Sequence, residues 1–265
     1  MQEQPTRRFG PSYDSRSIKA SILLTRISMI ALVLTLAATA ACATQQHERA
    51  CAGQILADKI IELRNYTLLP SRRDTLISLF EREFIETQEA VGARIVGTFR
   101  DLNAPDHFVW IRCFKDLDTR ALALTAFYNG PAWHAHSKAA NATMIDTDNV
   151  HMLHSVGAPL CMPSARPALD APGTSQSLIV IDVYALRGHT EEELRALAIR
   201  DPAIIAMFST EGSPNNFPAL PVRSDSVFAT IRRFDAKRET IPRIQRLPEP
   251  EQTLRLRPTS RSLLR

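Results

Sequence analysis

The feature that most limits what this chain can fold into is an internal repeat. IIELRNYTL (60–68) aligns with LIVIDVYAL (178–186), which places Tyr66 with Tyr184 and Arg64 with Asp182. WIRCFK (110–115) aligns with TIRRFD (230–235), which places Arg112 with Arg232 and Phe114 with Phe234. The period is about half of the chain beyond its N-terminal segment, as expected for duplication of one supersecondary unit.

The first copy spells that unit out. A strand-like IIELRNYTLL precedes SRRDTLISLFEREFIETQEAVG, where Leu76, Leu79, Phe80, Phe84 and Ile85 fall at helical spacing. Ser71 is placed to cap this helix and Gly92 to end it. ARIVGTFRDL and HFVWIRCFK follow as two strands joined by the turn NAPD. A helix interrupted at Gly130-Pro131 and a strand in DNVHMLHSV complete the order βαββαβ. A bridge rich in Pro, Ser and Ala leads to the second copy, with a helix in TEEELRALAI and strands in AIIAMFS and TLRLRP. One such unit has helices on one sheet face only, so its other face needs cover. Two units can supply it to each other. The expected fold is therefore α+β: two ferredoxin-like βαββαβ repeats forming an intramolecular dimeric α/β barrel. The expected organisation is an export or anchor segment with linker over 1–52, a first repeat over 58–156 and a linker over 157–176. A second repeat over 177–258 and a tail over 259–265 follow.

The first 52 residues carry a targeting signal. An uncharged, mostly apolar stretch from Ile27 to Thr44 follows Arg7, Arg8, Arg16, Lys19 and Arg26 and ends in small residues, the pattern of a secretory signal. The same stretch is just long enough to cross a bilayer as an uncleaved anchor. Cys42, after Thr39-Ala40-Ala41, resembles a lipoprotein box and is the lipidation candidate. The rest of the chain is then periplasmic, extracellular or membrane-anchored. No CxxC is present; Cys51 and Cys161 flank the first repeat and are the disulfide candidates for an oxidising compartment.

Net charge is +4, but much of the excess lies in the two tails, and no basic run with interleaved aromatics appears. Nucleic acid is therefore not an expected partner. Walker, Rossmann and Ser-His-Asp patterns are missing, and no Gly-rich phosphate loop exists. His134 and His136 lie two apart on a helix, and His151 and His154 three apart on a strand, so neither pair converges on a metal. No cofactor is expected.

Chemistry is best sought on the strands. In FVWIRCF, Phe108, Trp110, Arg112 and Phe114 share one face, and Val109, Ile111 and Cys113 share the other. The large face suits the space between the two sheets, beside Glu62, Arg64 and Tyr66, with Ile61 and Leu63 on the helices. Asp182, Tyr184 and Arg232 enter from the second repeat. Two readings are open for this set. It is a closed ion-pair network that fixes how the halves pack, or its positive surplus holds a small organic anion or a carbonyl group. The loop SPNNFPALP, with Asn215 and Asn216 between prolines, replaces the short turn of the first repeat.

IELRNYTLLPSRRDTLISLFE, FVWIRCFKDLDTRALALTAFYNGPAW and PNNFPALPV resemble NIPSNAP proteins over most of 60–156, and more weakly over 177–258. The resemblance implies the dimeric α/β-barrel fold and no established reaction. The main expectation is an exported NIPSNAP-like binding or protein-interaction module without catalysis. One alternative is a cofactor-independent monooxygenase-type or haem-binding enzyme using Tyr66, His107, Trp110 and Arg112, with His107 as base. The other is a purely structural module that binds a protein partner.

Overall fold

The computed structural model describes residues 54–55, 59–157, 160–163, 165–169, 171 and 175–265. The apolar N-terminal stretch, Cys42 and Cys51 lie outside them. The strands are β1 (Gln54–Ile55), β2 (Ile60–Leu68), β3 (Arg94–Asp101), β4 (His107–Phe114), β5 (Met144–Asp146), β6 (Val150–Ser155), β7 (Cys161–Met162), β8 (Ser177–Ala185), β9 (Ile204–Thr210), β10 (Val227–Asp235) and β11 (Gln252–Pro258). The helices are α1 (Arg73–Leu79), which runs through a π-helical turn (Phe80–Phe84) into α2 (Ile85–Glu89), then α3 (Leu117–Tyr128), α4 (Pro131–Asn141) and α5 (Glu191–Ala198).

Each repeat builds a sheet in the ferredoxin-like order, β6-β2-β4-β3 and β11-β8-β10-β9. The two sheets join edge to edge. Leu256 pairs with Asp101 at the β11–β3 seam, and Leu153 with Thr210 at the β6–β9 seam. Of the nine strands in this sheet, β5 hangs on β2 alone, so eight close into an antiparallel barrel. Closure leaves no open edge on these strands. A separate ribbon pairs β1 with β7, with Ile55 opposite Cys161. Cys161 is disulfide-bonded.

The barrel interior is apolar. Leu63, Phe99, Ile111, Leu153, Ile181, Phe208, Ile231 and Leu256, one from each strand of the barrel, form a single buried cluster. Only the interior brings alternate residues of every strand together. The expected orientation is thus reversed: Ile61, Leu63, Val109, Ile111 and Cys113 point inward. Tyr66, Phe108 and Trp110 pack outward against Leu76, Phe80, Phe84 and Phe127 of the helices. The physical reason is volume. An eight-stranded barrel is just wide enough for its own side chains, so mostly aliphatic groups, with Phe99 and Phe208, fill it, and the tryptophan, the tyrosines and the arginines go beneath the outer cover. On the second repeat, Tyr184 packs outward with Leu194 and Ala198 of α5. Glu62, Arg64 and Arg112 therefore do not share an interior with Asp182, Tyr184 and Arg232.

Three local expectations also change. Ser71 does not cap α1: it holds φ 63° and gives its N–H to Asp106 Oδ1 at 2.9 Å, and Arg72 sits at the cap position without a side-chain bond. Gly92 does end the α2 turn, at φ 105°, a conformation glycine adopts without a Cβ clash. The second repeat keeps its strand order but has no second helix: residues 236–251 are irregular and include Pro242, Pro248 and Pro250. Proline removes the N–H a helix needs. The segment 259–265 is packed rather than free. Thr259 and Leu264 give their N–H groups to Thr98 O and Val96 O, both at 2.9 Å, and Leu263 and Leu264 join the barrel cluster. Among the described residues, no helix is long and apolar enough to cross a membrane.

Candidate functional site

The outer face of β2 and β4 carries a buried network of charged side chains. Antiparallel register sets Glu62 directly opposite Arg112, and Arg64 opposite Trp110. Glu62 is fully buried, and its Oε2 accepts from Arg64 Nη1 at 2.6 Å and from Arg112 Nη2 and Nε at 2.6 and 3.0 Å. Its Oε1 accepts from Arg120 Nε of α3 at 2.6 Å. Each guanidinium is tied down again. Arg64 Nε donates to the Tyr66 hydroxyl at 3.0 Å, and Arg112 Nη1 donates to Gln88 Oε1 of α2 at 2.9 Å. Arg120 Nη1 donates to Asn216 Oδ1 at 2.7 Å and Asn215 Oδ1 at 3.0 Å.

Three guanidiniums against one carboxylate leave a formal surplus of two positive charges in a buried place. Aromatic faces take part of that field. Arg64 lies 5.4 Å from the ring centres of both Tyr66 and Trp110, and Arg112 lies 5.1 Å from Trp110 and 5.3 Å from Phe114. Burial pushes the Glu62 carboxyl up, but Arg112, Arg64 and Arg120 together outweigh it and hold it well below the usual carboxylate range. Burial pushes the Tyr66 hydroxyl up. It pulls Arg120 down, against the attraction of Glu62.

Beside this network, between the sheet and the helices, lies a cavity of about 140 Å³. Tyr66, Trp110, Phe80, Phe84, Tyr128 and Trp133 supply most of its wall, and Leu220 reaches it from the second repeat. Phe80 and Phe84 bracket the π-helical turn and meet edge to face at 6.2 Å. Phe80 also lies 4.8 Å from Trp110, and Tyr128 lies 4.8 Å from Trp133. The loop carrying Asn215 and Asn216 closes the outside: Phe217 stacks on Tyr128 at 5.9 Å, and Asn216 Nδ2 donates to Leu117 O at 2.6 Å. Trp110 is buried, and its Nε1–H has no hydrogen-bond partner among the described residues.

The sequence candidates thus separate into three places. Glu62, Arg64, Tyr66, Trp110 and Arg112 come together. Asp182, Tyr184 and Arg232 form their own group on the second repeat, where Arg232 Nη2 donates to Asp182 Oδ2 at 2.7 Å. His107 belongs to neither. It occupies the opposite face of β4 from Trp110, and its Nδ1 lies 3.0 Å from Asn65 Oδ1. Sequence reasoning missed Arg120 and most of the aromatic wall. A signal for Arg120 was present: with Ala123, Leu124 and Phe127 it forms a run at i, i+3, i+4 and i+7, and all four are buried. An arginine on the buried stripe of a helix needs a partner.

An antiparallel eight-stranded barrel made of two ferredoxin-like sheets, with helices packed outside, defines the dimeric α/β-barrel class. Residues 61–156, within the first repeat, match the NIPSNAP family model. Among solved structures, an uncharacterized NIPSNAP-like domain protein from Burkholderia xenovorans is 25% identical over 42% of this chain and 98% of that one, with a TM-score of 0.37. A NIPSNAP family protein of unknown function from Agrobacterium tumefaciens is 23% identical over 36% of this chain and 86% of that one, with a TM-score of 0.34. A protein from Fusobacterium nucleatum, provisionally named a monooxygenase, is 8% identical over 77% of this chain and 94% of that one, with a TM-score of 0.47. No curated protein matches the chain.

Proposed function

We propose that this protein is a non-catalytic binding module whose ligand seat is the aromatic cavity of the first repeat. The observation that carries the reading is a cavity of about 140 Å³ walled in part by Trp110, a buried residue whose Nε1–H has no hydrogen-bond partner among the described residues. An apolar hole of roughly this size admits a single small ring. The ligand class that fits is a neutral, flat aromatic molecule bearing one carbonyl oxygen to accept from Trp110. The arginines serve as frame: most of their donors face Glu62, Gln88, Tyr66 and the two asparagines, and Arg120 Nη2 is the buried guanidinium donor among them left without a partner among the described residues. Binding rather than turnover is favoured by the lining: it holds no carboxylate or imidazole, and its titratable groups are the hydroxyls of Tyr66 and Tyr128.

Acetophenone is a suitable probe for thermal unfolding of the full chain. The melting point should rise with its concentration, because a ligand of the native state stabilises by mass action. Trp110→Phe keeps a ring and removes the N–H. It should leave the unliganded melting point nearly unchanged and weaken acetophenone by about fivefold, the worth of one hydrogen bond. A wild-type melting point that ignores saturating acetophenone sinks the reading.

The same proposal places the protein outside the cytoplasm, and the disulfide at Cys161 supports that compartment. Peptide mapping of unreduced protein should recover Cys161 joined to Cys51. Recovery of Cys51 as a thiol from native cells would count against the pairing.

A further inference from the structure

The second repeat has its own cavity, unrelated in lining to the aromatic one. It lies between the end of α5 and the irregular segment that stands where the missing helix would be. Its volume is about 470 Å³, within the range that holds a small organic ligand. Three guanidiniums line it: Arg200 from the turn after α5, and Arg243 and Arg246 from the irregular segment. Leu197 and Ile244 supply apolar wall.

The charge there is poorly compensated. Asp201 is the acidic residue of the lining, and it is already engaged: its Oδ1 accepts from Ala203 N at 2.9 Å and its Oδ2 from Arg232 Nη1 at 3.4 Å. Arg243 meets Glu249 at 2.5 Å, but both side chains are more than half exposed, a setting in which an ion pair is readily exchanged. Among the described residues, no hydrogen bond or ion pair engages the side chains of Arg200 and Arg246. Three like charges around one hollow repel each other, and guanidinium forks match the oxygens of phosphate and carboxylate.

We propose that this hollow binds a phosphate-bearing amphiphile. Arg200, Arg243 and Arg246 take the anionic head, and Leu197 and Ile244 take the adjoining apolar part. The phosphate can belong to a free organic phosphate or to a lipid headgroup; both present the same oxygens.

Two probes separate these sources, both used with the full chain: sodium pyrophosphate by calorimetry, and vesicles of phosphatidylcholine with one quarter phosphatidylglycerol by flotation. The test variant is Arg200→Ser/Arg243→Ser/Arg246→Ser. The control, Arg72→Ser/Arg82→Ser/Arg257→Ser, removes equal charge elsewhere. Pyrophosphate should bind the wild type and the control, and weaken about tenfold or more in the test variant. Capture by vesicles alone, reduced in the test variant and kept in the control, assigns the site to a headgroup. Equal behaviour of all three proteins with both probes overturns the proposal, and so does equal loss in test and control. Arg246→Glu alone reverses one exposed charge and should weaken binding in the same direction if the triple variant misfolds. Acetophenone binding should not change in any of them, so failure here leaves the aromatic cavity untouched.

Discussion

The two repeats lay the same strands in the same order and then treat buried charge in opposite ways. In the first, Glu62 on β2 faces Arg112 on β4, and Arg64 and Arg120 complete a cage of three cations around one anion. In the second, Val180 stands where Glu62 would be and Asp182 where Arg64 would be. The result is one cation held by two anions: Arg232 reaches Asp182 at 2.7 Å and Asp201 at 3.4 Å, and its Nη1 also donates to Pro242 O at 2.6 Å. The difference teaches that the barrel does not dictate the site. The cover does. Helices with Phe80, Phe84, Tyr128 and Trp133 give the first repeat an aromatic cavity and π-faces that absorb positive surplus. A proline-bearing segment gives the second an open hollow lined by arginines.

Glu62→Gln is the sharpest way to break this contrast. It leaves three buried guanidiniums without an anion, and removal of one partner from a buried ion cluster costs about 3–5 kcal/mol. Denaturant unfolding should show that loss. Asp182→Asn should lose about 1–3 kcal/mol, because Arg232 keeps Asp201 and Pro242 O. Equal losses in the two variants would mean that the networks are energetically alike. Acid tests the same residue without changing its shape. The folded carboxyl of Glu62 titrates below its unfolded value of 4.5, so the folded state binds fewer protons there. Its contribution is complete above about pH 4.5 and is lost as pH falls further. Glu62→Gln should therefore show a shallower decline of stability below pH 4.5 than the wild type. A variant curve parallel to the wild type in that range would place the acid sensitivity elsewhere.

The first repeat also borrows structure from the chain's end. Leu264 is almost fully buried and hydrogen-bonds along β3, and Glu81 of the π-helical turn accepts from the Arg261 N–H at 3.0 Å. Leu264→Ala should cost about 2–3 kcal/mol, the low end for a buried leucine at a chain terminus. A loss below about 0.5 kcal/mol would mean that this segment only rests on the surface, since that is the scatter of neutral surface changes.

Much of this was legible in the amino acids. Helical spacing at Leu76, Phe80 and Phe84 and the turn NAPD between two strands give the βαββαβ order of the first repeat, and the repeat itself gives the barrel. The absence of a second helix in the second repeat was missed, because duplication of the whole βαββαβ unit was expected despite the prolines of TIPRIQRLPEPEQ. Inside and outside were not legible. β2 and β4 are buried along nearly their whole length, so alternation of polarity could not tell the two faces apart. Volume decides instead, and volume depends on the number of strands in the closed barrel. Thr259 and Leu264 looked like part of a tail because their partners, Thr98 and Val96, are far away in sequence.

The smallest expected effect concerns the loop that joins the two halves of the comparison. Asn215 serves its own turn, accepting from Phe217 N at 3.1 Å and donating to Leu220 O at 2.9 Å. Asn216 faces the first repeat, where it accepts from Arg120 and donates to Leu117 O. The loop therefore needs Asn215 to keep its shape and Asn216 to stay shut over Tyr128 and the cavity. Asn216→Ala should cost only about 1 kcal/mol, because Arg120 Nη1 retains Asn215. Its larger signature should be kinetic. Amide exchange across residues 213–222 should quicken while exchange in β2 and β4 stays slow, since local opening is governed by local contacts. Acetophenone should also dissociate faster from this variant than from the wild type. If exchange quickens and the dissociation rate does not, the loop moves without gating the cavity, and the ligand path must be sought between α3 and α4 instead.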